Sequence, residues 1–134
     1  MSGYTADMNW IAALVAAAVT MGVLDGLWLG VVAKGLYRRE LGGVMRDSPN
    51  VVAAALFYVL YVVGVVVIAV GQFEGIGTVA LVGAGLGALA YGTYDLTSMA
   101  TTKGYTWTIT VVDLLWGTAL TAAVAAAGEW ASTW

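Results

Sequence analysis

The sequence predicts an all-α membrane protein, a four-helix up-down bundle with both termini facing out, and three observations predict it. Hydrophobic residues make up 61% of the 134 residues, charged residues only 10%, and the mean hydropathy is +0.90, whereas soluble domains carry roughly 25% charged residues. The apolar residues gather into four runs, each long enough to cross a hydrocarbon core that takes roughly 20 helical residues. All five basic residues fall in two of the connections between those runs.

The first helix is expected over about residues 10–33, with Asp25 as its only charge. A cleaved signal peptide would need a basic leading region, and residues 1–10 hold no Lys or Arg, so the segment reads as a retained helix. The second is expected over about 51–70 without any charge, Ser48 and Pro49 supplying an N-cap and a first turn. The third, about 78–100, contains Asp95 alone, and the fourth, about 107–127, contains Asp113 alone. Together they make one integral-membrane domain over residues 1–134. Lys34, Arg38, Arg39 and Arg46 lie between the first and second helices and Lys103 between the third and fourth, so both basic connections should face the cytoplasm. Trp10, Trp107, Trp130 and Trp134 fall near span ends, as interfacial anchors do.

The inventory removes many chemistries. There is no Cys and no His, so disulfides, thiolate nucleophiles, imidazole bases and the usual zinc, copper and haem ligands are excluded. No cofactor is expected, and no basic stripe of the kind nucleic acid needs is present. The metal question stays open, because three aspartates could hold an oxygen-ligated divalent ion only with water or phosphate completing its shell.

An ionisable side chain in the bilayer is costly and by default marks a functional site facing the bundle interior. Counted from the basic connections at 1.5 Å per residue, Asp25, Asp95 and Asp113 each lie ~12–14 Å in from the cytoplasmic helix ends. The same count brings Tyr58 of the second helix to that level, so each helix contributes one polar group to one layer, with Trp28, Tyr61, Tyr91, Tyr94 and Trp116 around it. The expected ligand-binding set is therefore Asp25, Trp28, Tyr58, Tyr91, Tyr94, Asp95, Asp113 and Trp116. Asp25, Asp95 and Asp113 are the candidates for any catalysis. Three carboxylates at one depth cannot all be ionised, dry and unpaired, so at least one should hold a proton unless a cation or a ligand amine joins them. Tyr58, Tyr91 and Tyr94 are the expected donors; Lys34, Arg38 or Lys103 could reach back as counter-ions. The plainer reading is that the aspartates only hydrogen-bond helix to helix.

Gly22, Gly26 and Gly30 make a small-residue ridge on the first helix, and Gly83 and Gly87, beside Ala84, Ala88 and Gly92, make another on the third. Such ridges permit close backbone approach in lipid. Besides membrane lipids, the expected partners are further copies or a larger membrane complex, met through the Gly22/Gly26/Gly30 and Gly83/Gly87 faces. Gly85, Gly87 and Ala90 spell a dinucleotide-like pattern, but inside a spanning helix with no strand before it the pattern carries no weight. Asp25-Gly26-Leu27-Trp28 matches Asp113-Leu114-Leu115-Trp116. The first helix runs inward and the fourth outward, so the match reads as similar local chemistry and not as a tandem duplication.

Leu24-Asp25-Gly26-Leu27-Trp28-Leu29-Gly30, Phe57-Tyr58, Tyr91-Gly92-Thr93-Tyr94-Asp95-Leu96-Thr97 and Val112-Asp113-Leu114-Leu115-Trp116-Gly117 together resemble a bacterial family of membrane proteins, domain of unknown function 2177. The resemblance covers essentially the whole chain. It implies a four-helix, multi-pass protein of the bacterial inner membrane and supplies no established activity. The functional reading from the residues is binding or translocation of a cation, a proton or a small lipophilic molecule. One alternative is a membrane enzyme using paired aspartates for acid/base chemistry on a lipid or isoprenoid, and the other is a structural accessory subunit.

Overall fold

The protein, described from a computed structural model over residues 8–43 and 50–134, is all-helical, with no strand among the described residues. Helix α1 (Trp10–Leu27) starts at Asn9, whose side chain accepts a hydrogen bond from the Ala12 amide at 3.0 Å. It continues into a π-helical turn, Trp28–Val32, and breaks at Ala33. The short α2 (Lys34–Leu41) follows. Helix α3 (Val51–Val65) also runs into a π-helical turn, Val66–Val70. Gly75, at φ +91°, then turns the chain into α4 (Ile76–Thr101). Thr106 caps α5 (Trp107–Ser132) by accepting from the Ile109 amide at 3.2 Å. Four of these stretches, Trp10–Val32, Val51–Val70, Ile76–Thr101 and Trp107–Ser132, are long and apolar enough to cross a membrane.

Two details depart from expectation. The cap of α3 is Asn50, which accepts from the Ala53 amide at 3.1 Å; Ser48 and Pro49, like Arg46, lie outside the described residues. An Asn side chain beside a helix start satisfies the otherwise orphaned first-turn amide as well as Ser does. The last helix continues past residue 127 to Ser132: Gly128, Glu129, Ala131 and Ser132 are buried, Gly128 lies against Ala13 and Ala17 of α1, and the Asn9 amide donates to the Ser132 carbonyl at 2.8 Å.

Helix α5 is the centre of the bundle, packed between α4 on one side and α1 on the other. In lipid there is no hydrophobic force pressing helices together, so close packing has to come from small residues that let backbones meet. On α4, a Cβ added to Gly83 would lie 2.7 Å from the Ala125 Cβ, and one added to Gly87 would lie 2.7 Å from the Thr121 side chain. A turn further on, the Tyr91 ring covers Gly117. On α1 the close-packed ridge is Ala13, Ala17 and Met21, each fully buried, with Gly128 of α5 against Ala13 and Ala17.

The glycine ridges therefore divide. Gly83 and Gly87 are used up by the α4–α5 contact inside the chain and are not an open partner face. Gly22, Gly26 and Gly30 lie on the exposed side of α1; Gly22 meets only the Tyr58 hydroxyl group and Gly26 and Gly30 meet nothing. The first helix buries the alanine stripe instead because that is the side facing α5.

Helix α3 joins the bundle at one end only. Val62, Val65, Val66, Ala69 and Val70 are buried, and Trp10 packs over Gly71, but of residues 51–60 only Tyr58 is not exposed. The first half of α3 therefore stands away from α4.

This packing predicts an asymmetry among glycines. Gly87→Val should destabilise the protein by about 1–3 kcal/mol through overpacking, whereas Gly26→Ala should be neutral or stabilising by up to about 1 kcal/mol through helix propensity. Thermal or denaturant unfolding in mild detergent measures both; equal effects would contradict the packing described.

Candidate functional site

Two antiparallel helix pairs and the short α2 decide what meets at the aspartates. The α4–α5 pair is antiparallel, and contacts repeat every turn: Gly83 with Ala125, Gly87 with Thr121, Tyr91 with Gly117. One turn further in the same register, Asp95 comes opposite Asp113. Asp95 is 0% exposed, and its Oδ1 accepts from the Tyr105 hydroxyl at 2.5 Å. Tyr105 can reach back because Gly104, at φ +85°, adopts the left-handed conformation that reverses the chain there. Asp95 Oδ2 is buried without any N–H or hydroxyl donor among the described residues.

The α1–α5 pair is also antiparallel, and its register runs from the Asn9–Ser132 backbone bond to Asp25 and Trp116, sixteen residues further along each helix. The indole Nε1 of Trp116 donates to Asp25 Oδ1 at 3.2 Å. In the same register Trp28 sits opposite Asp113 and the two indoles stack, with centroids 4.5 Å apart and planes 6° from parallel. Trp28 Nε1 donates to the Tyr37 hydroxyl oxygen at 3.2 Å, and that hydroxyl donates to Asp113 Oδ1 at 2.7 Å. The two Asp-x-x-Trp motifs are thus reciprocal. Each tryptophan serves the other motif's aspartate, Trp116 directly and Trp28 through Tyr37.

Tyr37 arrives from α2. The π-helical turn and the break at Ala33 lay α2 across the bundle, with Leu36, Tyr37, Glu40 and Leu41 turned inward and Lys34, Arg38 and Arg39 exposed. Glu40 fastens it to the start of α5, accepting from the Thr106 hydroxyl at 2.6 Å. Burial, together with the neighbouring Asp113 carboxylate, raises the Tyr37 phenol above the ordinary tyrosine range. Burial and the hydrogen bond to Asp95 raise Tyr105 likewise. Both therefore stay neutral donors at physiological pH.

Around these groups lies a cavity of about 500 Å³ lined by Asp25, Trp28, Leu29, Tyr37, Leu41, Phe57, Tyr61, Ala90, Tyr91, Tyr94, Tyr105 and Asp113. Two ring pairs stiffen its walls: Tyr61 meets Tyr91 edge-on at 6.0 Å, and Tyr94 meets Tyr105 at 6.4 Å. Tyr61 is held in turn by the Thr121 hydroxyl at 2.6 Å; since that hydroxyl donates to the Gly117 carbonyl, Tyr61 is the donor between them.

Of the residues singled out from the sequence, Asp25, Trp28, Tyr91, Tyr94 and Asp113 line the cavity. Asp95 lies behind Asp113, and Trp116 backs Trp28 and holds Asp25. Tyr58 does not line it: its hydroxyl donates to the Ala18 carbonyl, nearly two turns before Asp25, beside Gly22. Counting from the helix start misplaced it because α3 is angled away from the others at that end, and Phe57 and Tyr61 take the wall instead. The hydrogen bonds to the aspartates come from Tyr37, Tyr105 and Trp116, not from Tyr58, Tyr91 or Tyr94, and none comes from Lys34, Arg38 or Lys103. Tyr37 and Tyr105 escaped notice because they lie outside the spans. The available signals were the inward pattern Leu36, Tyr37, Leu41 within a charged stretch, and a tyrosine directly after Gly104. Among the described residues no three acidic side chains are grouped so as to hold a metal ion, each aspartate being turned to its own donor.

The raised phenols set a pH dependence. A group that holds its proton more tightly when folded contributes stability that is intact below its unfolded pKa, about 10 for tyrosine, and is lost as the pH rises beyond it. Unfolding midpoints should therefore fall above about pH 10, and more shallowly in a Tyr37→Phe/Tyr105→Phe double variant. An unchanged slope in the double variant would remove these two phenols from the account.

The model of a family described as predicted membrane protein (DUF2177) matches residues 10–130. No curated protein and no solved structure matches the chain. Four apolar spans and a match over nearly its whole length agree, and the chain belongs to the DUF2177 family of predicted membrane proteins.

Proposed function

We propose that the protein is a multi-pass protein of the bacterial cytoplasmic membrane, with both termini out, that binds a small lipophilic cation in the Asp25/Asp113 cavity and exchanges it against protons. One observation carries the reading. Two carboxyl groups lie on the wall of an aromatic cavity at membrane depth, and among the described residues the hydrogen bonds they accept come from a neutral phenol and an indole. A neutral donor orients a carboxylate but leaves its charge uncompensated, and an uncompensated charge is costly in the bilayer. The deficit is met by a proton or by a cation. Seven of the twelve lining residues are aromatic, and ring faces attract cations, most strongly where water is excluded. Asp95, buried against Asp113 with Oδ2 lacking a donor, gives the displaced proton a place between the two carboxyl groups.

Methyltriphenylphosphonium is a suitable probe, since Trp28 and Trp116 beside the cavity report on it by fluorescence. Asp113→Asn should weaken binding by about tenfold or more, the equivalent of about 1.4 kcal/mol. Binding to the unaltered protein should weaken as the pH falls, because protons compete for the same carboxylates. In proteoliposomes the probe should drive a pH change that the variant does not. Equal affinity in the variant at every pH would remove the cation reading.

A second reading is favoured by the same Asp95/Asp113 pair. One carboxyl group holding a proton beside an ionised one is the usual equipment for general acid and base chemistry, here on a lipid or isoprenoid reaching the cavity from the side. Incubation with membrane lipid extracts separates the two: a product dependent on Asp113 favours the enzyme, and reversible binding with the lipids unchanged favours the carrier.

A further inference from the structure

Next to the aspartate cavity is a second, almost wholly apolar one of about 240 Å³, lined by Phe57, Leu60, Tyr61, Gly64, Val65, Ile68 and Leu86. Phe57 and Tyr61 belong to both linings, so the two spaces adjoin. The second lies between Leu86 of α4 and the stretch of α3 and its π-helical turn from Phe57 to Ile68. Leu60 is 74% exposed and Phe57 and Ile68 are each 49% exposed, so the space is a groove open along its side to the lipid. Along α3 it runs from Phe57 to Ile68, roughly 16 Å at 1.5 Å per residue. In a membrane protein an apolar groove by itself attracts any acyl chain. This one shares Phe57 and Tyr61 with the cavity that holds Asp25 and Asp113.

We infer that the ligand is a single-chain cationic amphiphile, with its amine or quaternary ammonium head between Asp25 and Asp113 and its alkyl or isoprenoid tail in the groove between α3 and α4, entering sideways from the lipid. The inference rests on the reading of the cavity as a cation site and adds the tail and the route. Charge complementarity assigns the head: the lining contains two acids and no base. The groove assigns the tail, being almost wholly apolar and about as long as an extended dodecyl chain. A side entry also keeps α2 in place, so Tyr37 and the Glu40–Thr106 clasp do not have to move for the ligand to arrive.

Gly64 offers the test, because a side chain built there meets nothing within 4 Å and would project into the groove without disturbing the bundle. In detergent-free phosphatidylcholine nanodiscs, dodecyltrimethylammonium and methyltriphenylphosphonium are titrated against the unaltered protein, Gly64→Leu and Asp113→Asn. Comparison in identical nanodiscs cancels partition of the probes into lipid. Gly64→Leu should weaken dodecyltrimethylammonium by about tenfold and leave methyltriphenylphosphonium unchanged, while Asp113→Asn should weaken both. Ile68→Trp narrows the same groove from an exposed position and should reproduce the Gly64→Leu result. If both groove variants leave the dodecyl probe unaffected while Asp113→Asn still weakens both probes, the tail assignment is overturned and the cation site stands. If Asp113→Asn changes neither probe, the cation reading fails, and this inference with it.

Discussion

The structure depends on the register of α5 between two antiparallel neighbours. On one side Gly83 and Gly87 allow α4 to lie almost backbone to backbone against Thr121 and Ala125. On the other, Ala13, Ala17 and Met21 do the same for α1. Where bulk apolar association is not available to hold helices together, the fit of small residues fixes both separation and register. Once the registers are set, Asp95 can only face Asp113, and Asp25 can only face Trp116. A rotation of either neighbour about its own axis would turn the carboxyl groups toward lipid, where they would be far more costly. The glycines and alanines, which touch no ligand, are thus what places the acids.

The site made this way is unusual in its choice of partners. Buried carboxylates are commonly matched by Arg or Lys, but here phenols and indoles do the work, and the exposed basic residues of α2 stay outside. Neutral donors fix direction without cancelling charge. The Trp28–Tyr37–Asp113 chain and the Trp116–Asp25 bond hold two carboxyl groups in defined orientations. Their attraction for a proton or a cation is left intact. The tyrosine donors remain protonated over the whole physiological range.

Closure and opening are divided between different elements. On the side of the basic residues, α2 lies over the cavity and is held at two points, Tyr37 to Asp113 and Glu40 to Thr106. On the side of α3, Tyr58 and Tyr61 bond Ala18 and Thr121 and the last turns are buried, while residues 51–57 and Leu60 are exposed.

Much of this was legible in the sequence. Composition and run length dictate four spans, because a bilayer demands that backbone polar groups be satisfied within each helix, and the isolated acids mark the site by their cost alone. Even the Asp95–Asp113 contact is implicit, since both lie nine residues from Gly104 and a tight hairpin pairs residues equidistant from its turn. The match of Asp25-x-x-Trp28 with Asp113-x-x-Trp116 was visible too, but its meaning was not. That α1 and α5 pair at all, and in the register that makes the two motifs reciprocal, is decided by side-chain fit between helices with almost the whole chain between them. The same holds for Tyr37, carried to Asp113 by a π-helical turn that local preference does not encode, and for Tyr58, which depth counting placed at the acids while the tilt of α3 takes it to Ala18. Local sequence sets what each helix contains and how deep it lies; only packing sets the angle and rotation at which the helices meet.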